Sequence, residues 1–329
     1  MLTYKRGKQM QDLKGIILQK IKDYKTIICL RHISPDGDAY GSAFGLAQFI
    51  KDNFPNKMVL VDGAPNDFLS FLATPDLLQA ENYKDALVIV TDTANTERID
   101  SKYWHKAKEV IKIDHHPNVT PFGDIQWIDE TKIAVSEMIA ELVLTSKLIV
   151  TPEAAKLIFT GIVTDSNRFM YNKTCYNTFM LAGQLVATGF DLQSIYQNLY
   201  EESWVNLRFK NYLLSKVVIY DKEISYVKIT DEMLKEHNMS YETVKPWVNI
   251  MSNIKEFKIW MLVIENKAEG YINLSIRSNT YIINKVAEKY CGGGHQLASG
   301  AKIYQWEDLK QVLKDLSFVI KNNIKYMGG

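Results

Sequence analysis

His32, Asp36 and Asp38 alternate one imidazole with two carboxylates around the turn Pro35-Asp36-Gly37-Asp38, where Gly37 lets the backbone reverse tightly. Donors of this kind suit Mn2+ or a similar transition ion, and no thiolate lies near to favour zinc or copper. Asp36 and Asp38, two residues apart, can address two different ions. Asp92 could bridge them and Asp165 could complete the ligands of the second. Asp114-His115-His116 adds a carboxylate and two imidazoles just before Pro117. Two ions roughly 3.5–4 Å apart clamp the attacking and leaving oxygens of a phosphoryl displacement and lower the pKa of a water. So many carboxylates in one place would repel one another without cations. Each also has a plainer role open to it: Asp36 and Asp38 as turn formers, Asp92 and Asp165 at helix ends. Their conjunction at separate strand and helix ends favours metal-assisted phosphoryl transfer.

The elements that must position these residues alternate strand with helix. Thr26 to Leu30, Met58 to Val61, Ala86 to Val90 and Val110 to Ile113 are short apolar runs of the fully buried kind. Gln11 to Tyr24 has helical spacing, and Ala39 to Leu46 reads as a helix packed closely through small residues. The pattern predicts an α/β fold: a parallel sheet flanked by helices, with ligands beyond the carboxyl ends of the strands. Further helices are expected over Ala134 to Leu144, Glu153 to Val163 (capped by Thr151, with Pro152 in its first turn), Asn177 to Ala187 and Leu192 to Tyr200. A helical segment through Val205 to Leu214 follows. The organisation expected is a catalytic domain over 1–190, a helical connector over 191–215 and a smaller α+β domain over 216–329. In that domain Lys216 to Tyr220 and Ile224 to Ile229 read as a hairpin, and Phe257 to Ile264 and Tyr271 to Arg277 as strands. Asp231 to His237, Tyr241 to Ile254, Ile282 to Tyr290 and Trp306 to Ile320 read as helices. Cys291-Gly292-Gly293-Gly294-His295 reads as a loop.

Composition narrows the class. Hydrophobic content of 47% and charged content of 23% describe a globular protein with real cores. A net charge of +1 argues against gripping long duplex, which usually goes with a basic excess, so any nucleic-acid substrate should be short or held by a local patch. Cys29, Cys175 and Cys291 are scattered with no CxxC, which argues against a disulfide framework and a zinc ribbon. Lys5, Arg6 and Lys8 precede no apolar signal core, and no run is long enough to span a membrane. A cytoplasmic enzyme is expected, with no membrane partner.

The residues also carry a resemblance. His32 with Pro35-Asp36-Gly37-Asp38-Ala39, Thr91-Asp92-Thr93-Ala94-Asn95, Asp114-His115-His116 and Gly161-Ile162-Val163-Thr164-Asp165 resemble the four motifs of the DHH phosphoesterases, in order. Ile276-Arg277-Ser278 with Gly292-Gly293-Gly294-His295 resembles their DHH-associated C-terminal domain. The resemblance implies two Mn2+ ions, one on His32 and Asp36 and one on Asp38, His115 and Asp165, with Asp92 bridging. It implies that His116 lies beside the scissile phosphate and that Asp114 orients its neighbours. It also implies that Arg277, Ser278, Gly292, Gly293, Gly294 and His295 hold the far end of the substrate. Glycines after a helix can equally be its C-cap. Arg98 is a further phosphate candidate, with a surface salt bridge as its alternative.

Within the family the chain is most similar to small bacterial enzymes that act on short RNA and on 3′-phosphoadenosine 5′-phosphate (pAp). The implied reactions are hydrolysis of short oligoribonucleotides to 5′-mononucleotides and removal of the 3′-phosphate of pAp. The alternative is a phosphodiesterase for cyclic dinucleotides or linear pApA. A family II pyrophosphatase would lack the glycine-rich C-terminal motif, and a longer-strand exonuclease would carry extra domains. A non-catalytic nucleotide sensor would have lost a ligand, and none of the six is lost. Trp247, Trp260, Tyr271 and Tyr281 are candidates for base stacking or for core packing. Self-association as a homodimer is an open expectation.

Overall fold

Short β-branched and aliphatic runs build the first sheet, which is parallel throughout and ordered β2-β1-β3-β4-β5. The structure, a computed structural model, describes residues 2–326, with side chains from residue 13 on, so Lys5, Arg6 and Lys8 lie outside the described side chains. The chain divides into two units, Met1–Glu201 and Glu202–Gly329. Elements of the first are α1 (Leu2–Asp23), β1 (Thr26–Leu30), α2 (Gly37–Asn53), β2 (Met58–Val61), β3 (Leu87–Thr91), β4 (Glu109–Asp114), β5 (Ile125–Ile128), α3 (Val135–Thr145), α4 (Pro152–Asp165), α5 (Tyr176–Val186) and α6 (Leu192–Tyr200). Alternate residues of each strand face opposite cores. Ile27, Cys29, Leu87, Ile89, Ile111 and Ile113 join the core made with the helices. Ile28, Leu30, Val88, Val90 and Val110 face a second core closed by Tyr83, Ile99 and Phe122.

The strand order reverses between β1 and β3. In an open parallel sheet that switch point leaves a crevice at the carboxyl ends of the strands. His32 follows β1 and Asp92 follows β3, so both sit at the crevice.

The second unit comprises α7 (Trp204–Ser215), β6 (Val218–Tyr220), β7 (Ile224–Ile229), α8 (Asp231–Glu236), α9 (Tyr241–Val244), β8 (Ile259–Asn266), β9 (Tyr271–Ser278), α10 (Asn284–Lys289), β10 (Gly293–His295), β11 (Ala298–Ile303) and α11 (Leu309–Lys321). Its mixed sheet runs β10-β11-β9-β8-β7-β6, with only the β7–β8 pair parallel. On β8, Ile259, Met261 and Val263 face one core while Trp260, Leu262 and Ile264 face another. The expected connector is shared by the two units: Ile195 and Leu199 of α6 bury in the first core, Phe209 and Leu213 of α7 in the second.

Three differences from the sequence expectation have physical causes. The helix expected over Tyr241 to Ile254 is α9 followed by a 3-10 stretch, Lys245–Met251. Pro246 lacks an N–H and clashes with the preceding turn. β11 escaped notice because Ala298-Ser299-Gly300-Ala301 lacks the β-branched residues that signal a strand. The loop Cys291 to His295 is in part an edge strand, β10, paired antiparallel with β11. Among the described residues no helix is long and apolar enough to cross a membrane.

Candidate metal centre

Asp36 caps the N-terminus of α2: its Oδ1 accepts from the Asp38 and Ala39 N–H groups, both at 3.0 Å. Asp38, inside the first turn, points the other way and is fully buried. Its Oδ2 accepts from the Val135 N–H at 2.7 Å and its Oδ1 from the Ser136 N–H at 2.8 Å. These are the first N–H groups of α3, whose own N-cap, Ala134, offers no side-chain oxygen. Burial pushes the Asp38 carboxyl up to about 6.

Asp165, the last residue of α4, reaches the same place because α2 and α4 pack very closely. A Cβ on Gly41 would lie 2.6 Å from the Leu157 carbonyl oxygen and 2.8 Å from the Gly161 nitrogen. A Cβ on Gly161 would lie 1.9 Å from Ser136 Oγ and 2.9 Å from Asp38 Oδ1. Only glycine fits at this crossing. Burial, then the charges of Asp38 and Asp36, hold the Asp165 carboxyl well above the usual carboxylate range.

Asp92 follows β3 with a left-handed backbone, φ 50°, which is uncommon for a side-chain-bearing residue and clusters at functional sites. It is buried. Its Oδ2 lies 3.5 Å from His32 Nε2, and its Oδ1 lies 3.6 Å from His115 Nε2. Oδ1 has no hydrogen-bond partner among the described residues. Burial, then the nearby charges of Asp38, Asp36, Asp165 and Asp114, raise its pKa well above the ordinary value.

The three histidines share one arrangement. His32 Nδ1–H donates to the Ile33 carbonyl at 2.9 Å, and His115 Nδ1–H to the Lys132 carbonyl at 3.3 Å. His116 Nδ1–H donates to Asp114 Oδ1 at 2.8 Å. A carbonyl oxygen cannot donate, so the Lys132 bond assigns the His115 proton to Nδ1 and leaves its Nε2 lone pair for a cation; at His32 the nearer Ile33 carbonyl, at 2.9 Å, calls for the same tautomer against the Arg98 Nη2 donor at 3.2 Å. His115 Nε2 lies 3.4 Å from Asp165 Oδ2, and His32 Nε2 lies 3.9 Å from Asp36 Oδ1. Burial lowers both pKa values, that of His115 to about 4, which keeps the rings neutral and able to ligate.

Ligand atoms of His32, Asp36 and Asp92 lie within 4.8 Å of one another, and so do those of Asp38, His115 and Asp165. A third such set joins Asp92 and His115 to His116. His116 Nδ1, however, already donates to Asp114 and has no lone pair to give while it does so. Burial pushes Asp114 up, but its hydrogen bond from His116 and that residue's charge outweigh this, and its pKa falls below the ordinary value. The nitrogen and oxygen donor set, the crowded carboxylates and the orphaned Asp92 Oδ1 together fit divalent metal.

The structure thus gathers all six candidate ligands, with His116 and Asp114 beside them. Arg98, an exposed residue, sets its Nη2 3.2 Å from His32 Nδ1. Lys112 was hidden from sequence reading inside an apolar run, yet its side chain is fully buried next to Asp114, with Nζ 3.3 Å from Oδ2. No local signal marks the Val135 and Ser136 N–H groups, which hold Asp38 across 97 and 98 residues.

The other candidate substrate residues lie in the second unit. Arg277, Asn273 and Ser275 alternate along β9 and line a concavity of about 450 Å³ with Gly292, Gly293, Gly294, Lys245 and Lys302. Among the described residues no carboxylate lines it. Arg277 Nη1 donates to the Ile276 carbonyl at 2.9 Å. The Gly292 N–H caps α10 through the Ala287 carbonyl at 3.1 Å, so the C-cap reading of that glycine is also realised. A Cβ on Gly294 would lie 2.7 Å from the Ala298 carbonyl oxygen, a close approach that only glycine allows. Ser278 is not brought to the concavity. It is buried, its hydroxyl donates to the Lys258 carbonyl, and it accepts from the Thr280 and Tyr281 N–H groups. His295 is exposed at the end of β10. Trp260 and Tyr281 are core residues, and Trp247 packs against the core. Tyr271 is half-buried, with Lys302 Nζ 4.2 Å from its ring centroid.

Comparison with known proteins adds an independent line. Residues 26–162 match the DHH family N-terminal domain, and residues 221–322 match the DHHA1 domain. The chain is 36% identical over 314 residues to the bifunctional oligoribonuclease and PAP phosphatase NrnA of Bacillus subtilis, covering 94% of this chain and 100% of that one. It is 24% identical to the cyclic-di-AMP phosphodiesterase GdpP of Geobacillus thermodenitrificans over 86% of this chain and 45% of that protein. Among solved structures it resembles an exopolyphosphatase-related protein from Bacteroides fragilis, with a TM-score of 0.87 and 26% identity over 94% and 98% of the two chains.

Proposed function

The chain belongs to the DHH family of hydrolases, and on that premise we propose that it is a two-metal phosphoesterase that cleaves short oligoribonucleotides to 5′-mononucleotides and converts pAp to AMP. One observation carries the reading. Asp92 is buried at a strand end in a left-handed conformation, with one oxygen facing His32 and the other facing His115. A carboxylate so placed serves two cations at once.

His32 and Asp36 would hold one ion, Asp38, His115 and Asp165 the other, with Asp92 shared. Mn2+ is the ion proposed, on the strength of the nitrogen and oxygen donors. Bound there, two such ions acidify water and neutralise charge that builds on the phosphoryl oxygens. The chain's own residues do the rest. The carbonyls of Ile33 and Lys132 fix the two ligating rings. The N-terminus of α3 fixes Asp38. Asp114 holds the His116 Nδ1 proton, so Nε2 is the nitrogen that exchanges a proton with the leaving oxygen. Arg98 offers a guanidinium fork to phosphate near His32, and in the second unit Arg277 with the glycine segment offers donors to an anionic group.

The relative from Bacillus subtilis supports this substrate pair. The second reading, a cyclic-dinucleotide or pApA phosphodiesterase, is favoured by the likeness to the Geobacillus enzyme, which covers less than half of that protein. A cytoplasmic location belongs to the same reading, as does activity as a homodimer. Turnover of pAp, RNA of two to five residues, pApA and a cyclic dinucleotide should be compared side by side with Mn2+. Preference for pAp and short RNA supports the first reading, and hydrolysis of dinucleotides alone supports the second.

A further inference from the structure

Lys112 is a feature of the catalytic unit that the chemistry above does not use and packing alone does not explain. It lies in the middle of β4, paired with Val90, among residues that are otherwise apolar. Its side chain is fully buried, and its Nζ sits 4.5 Å from the Phe122 ring centroid. Burying an ammonium group is costly unless its partners are well placed, and replacing a whole buried ion pair by hydrophobic residues is often neutral for stability.

The partners share one property. Nζ donates to the Ala94 carbonyl at 2.9 Å and to Asn118 Oδ1 at 3.2 Å. Ala94 belongs to the segment that leaves Asp92, and Asn118 to the segment that leaves His115 and His116. The third neighbour is Asp114, two residues along the same strand and therefore on the same face. The Asp114 carboxylate divides its oxygens. Oδ1 accepts both the backbone N–H of His116, at 3.2 Å, and its Nδ1–H, at 2.8 Å. Oδ2 has no hydrogen-bond partner among the described residues and faces Lys112 Nζ at 3.3 Å.

We propose that Lys112 is a positioning residue for the reaction: it anchors the Asp114 carboxylate and ties the Asp92 and His116 segments to one point, thereby fixing which nitrogen of His116 carries the proton. The role rests on the phosphoesterase reading, but the arrangement itself does not. Without the Lys112 charge, Asp114 Oδ2 is a buried oxygen with nothing opposite it. The carboxylate then swings or is lost as an acceptor, and the imidazole is released from a single tautomer. A support of this kind is worth about 10- to 100-fold in activity when removed.

The test uses the full chain labelled with 15N at histidine, metal-free, with Lys112→Met, Asp114→Asn and the double variant. Long-range 1H–15N spectra report the tautomer of each ring without turnover. In the wild type His116 should show one Nδ1–H tautomer. In Lys112→Met its signals should move to a mixture while those of His237, in the other unit, stay in place. With Mn2+ and pAp, Lys112→Met should lose about 10- to 100-fold in kcat with KM changed less than about threefold. The double variant should be no slower than Asp114→Asn alone. Lys112→Gln, which keeps a donor while removing the charge, should behave as Lys112→Met does and stands in for it if that variant does not fold. An unchanged His116 spectrum in these variants, or losses that multiply in the double variant, would overturn the proposal. If wild type fails to hydrolyse pAp or short RNA, the phosphoesterase reading has failed, and the spectra still decide the role of Lys112.

Discussion

The Asp38 carboxylate caps a helix that begins at Val135: its two oxygens accept the first N–H groups of α3, at 2.7 and 2.8 Å. A candidate metal ligand is thereby also a structural joint. Removing it should cost more than removing a ligand with no such duty. In chelator-treated protein, Asp38→Ala leaves two buried N–H groups unsatisfied and should lose about 2 kcal/mol or more. Asp165→Ala, which removes one charge from a repelling cluster, should stay within about 0.5 kcal/mol of wild type or gain. Urea unfolding at neutral pH compares the two, and equal losses would show that the cap contributes nothing.

Metal should stabilise the fold. Cations that bind only the native cluster raise stability by about 2.7 kcal/mol at one hundred times their dissociation constant. The melting temperature of metal-free protein should rise by several degrees on adding Mn2+ and fall back with chelator. Asp92→Ala should lose most of that rise, since the carboxylate proposed to be shared is gone.

The helix crossing can be probed directly. Gly41→Ala places a Cβ 2.6 Å from the Leu157 carbonyl oxygen, so α2 and α4 must separate. Overpacking of this sort costs about 1–3 kcal/mol. It should also move Asp38 away from Asp165, so the Mn2+ concentration for half-maximal activity should rise. A variant with lowered stability and an unchanged Mn2+ requirement would place the crossing outside the site's support.

Glu141 supplies the pH dependence. Burial pushes its carboxyl up, but hydrogen bonds from Lys132 and Lys14 outweigh this and hold it below the ordinary value of 4.5. A depressed folded pKa gives stability that is fully present above the unfolded value and lost as pH falls through the folded one. Glu141→Gln should therefore lower the melting temperature at pH 7 and flatten its decline on the acid side of 4.5. The Lys132 carbonyl also receives the His115 Nδ1–H, so the same variant should weaken Mn2+ binding modestly.

In the second unit, Arg277→Ala should raise KM for pAp by about tenfold or more, the worth of a charge-assisted hydrogen bond, with a smaller change in kcat. Ser278→Ala should leave KM unchanged and lower stability, because its hydroxyl holds a turn. A rise in KM for Ser278→Ala would return that residue to the substrate site.

Sequence reading went furthest where chemistry and period coincide. His32, Asp92 and Asp114 end or follow strands whose apolar runs are unbroken, so their gathering at one edge of a parallel sheet could be argued before any coordinates. Long-range relations were out of reach. Nothing near Val135 announces a carboxylate from residue 38, and Lys112 reads as an interruption of a strand until its partners are seen. β11 and the pairing of the glycine segment were missed because small residues carry little strand signal. Ser278 shows the reverse: beside Arg277 its hydroxyl reads as a ligand contact, while in the fold it holds a turn.

The most direct measurement is product analysis of pAp and a five-residue RNA incubated with metal-free chain, with chain reloaded with Mn2+, and with reloaded Asp92→Ala. The account predicts AMP and 5′-mononucleotides from the reloaded wild type alone, with the metal-free chain and the variant at least about a hundredfold slower. Intact pAp and RNA in the presence of Mn2+, or full turnover by Asp92→Ala, would contradict it.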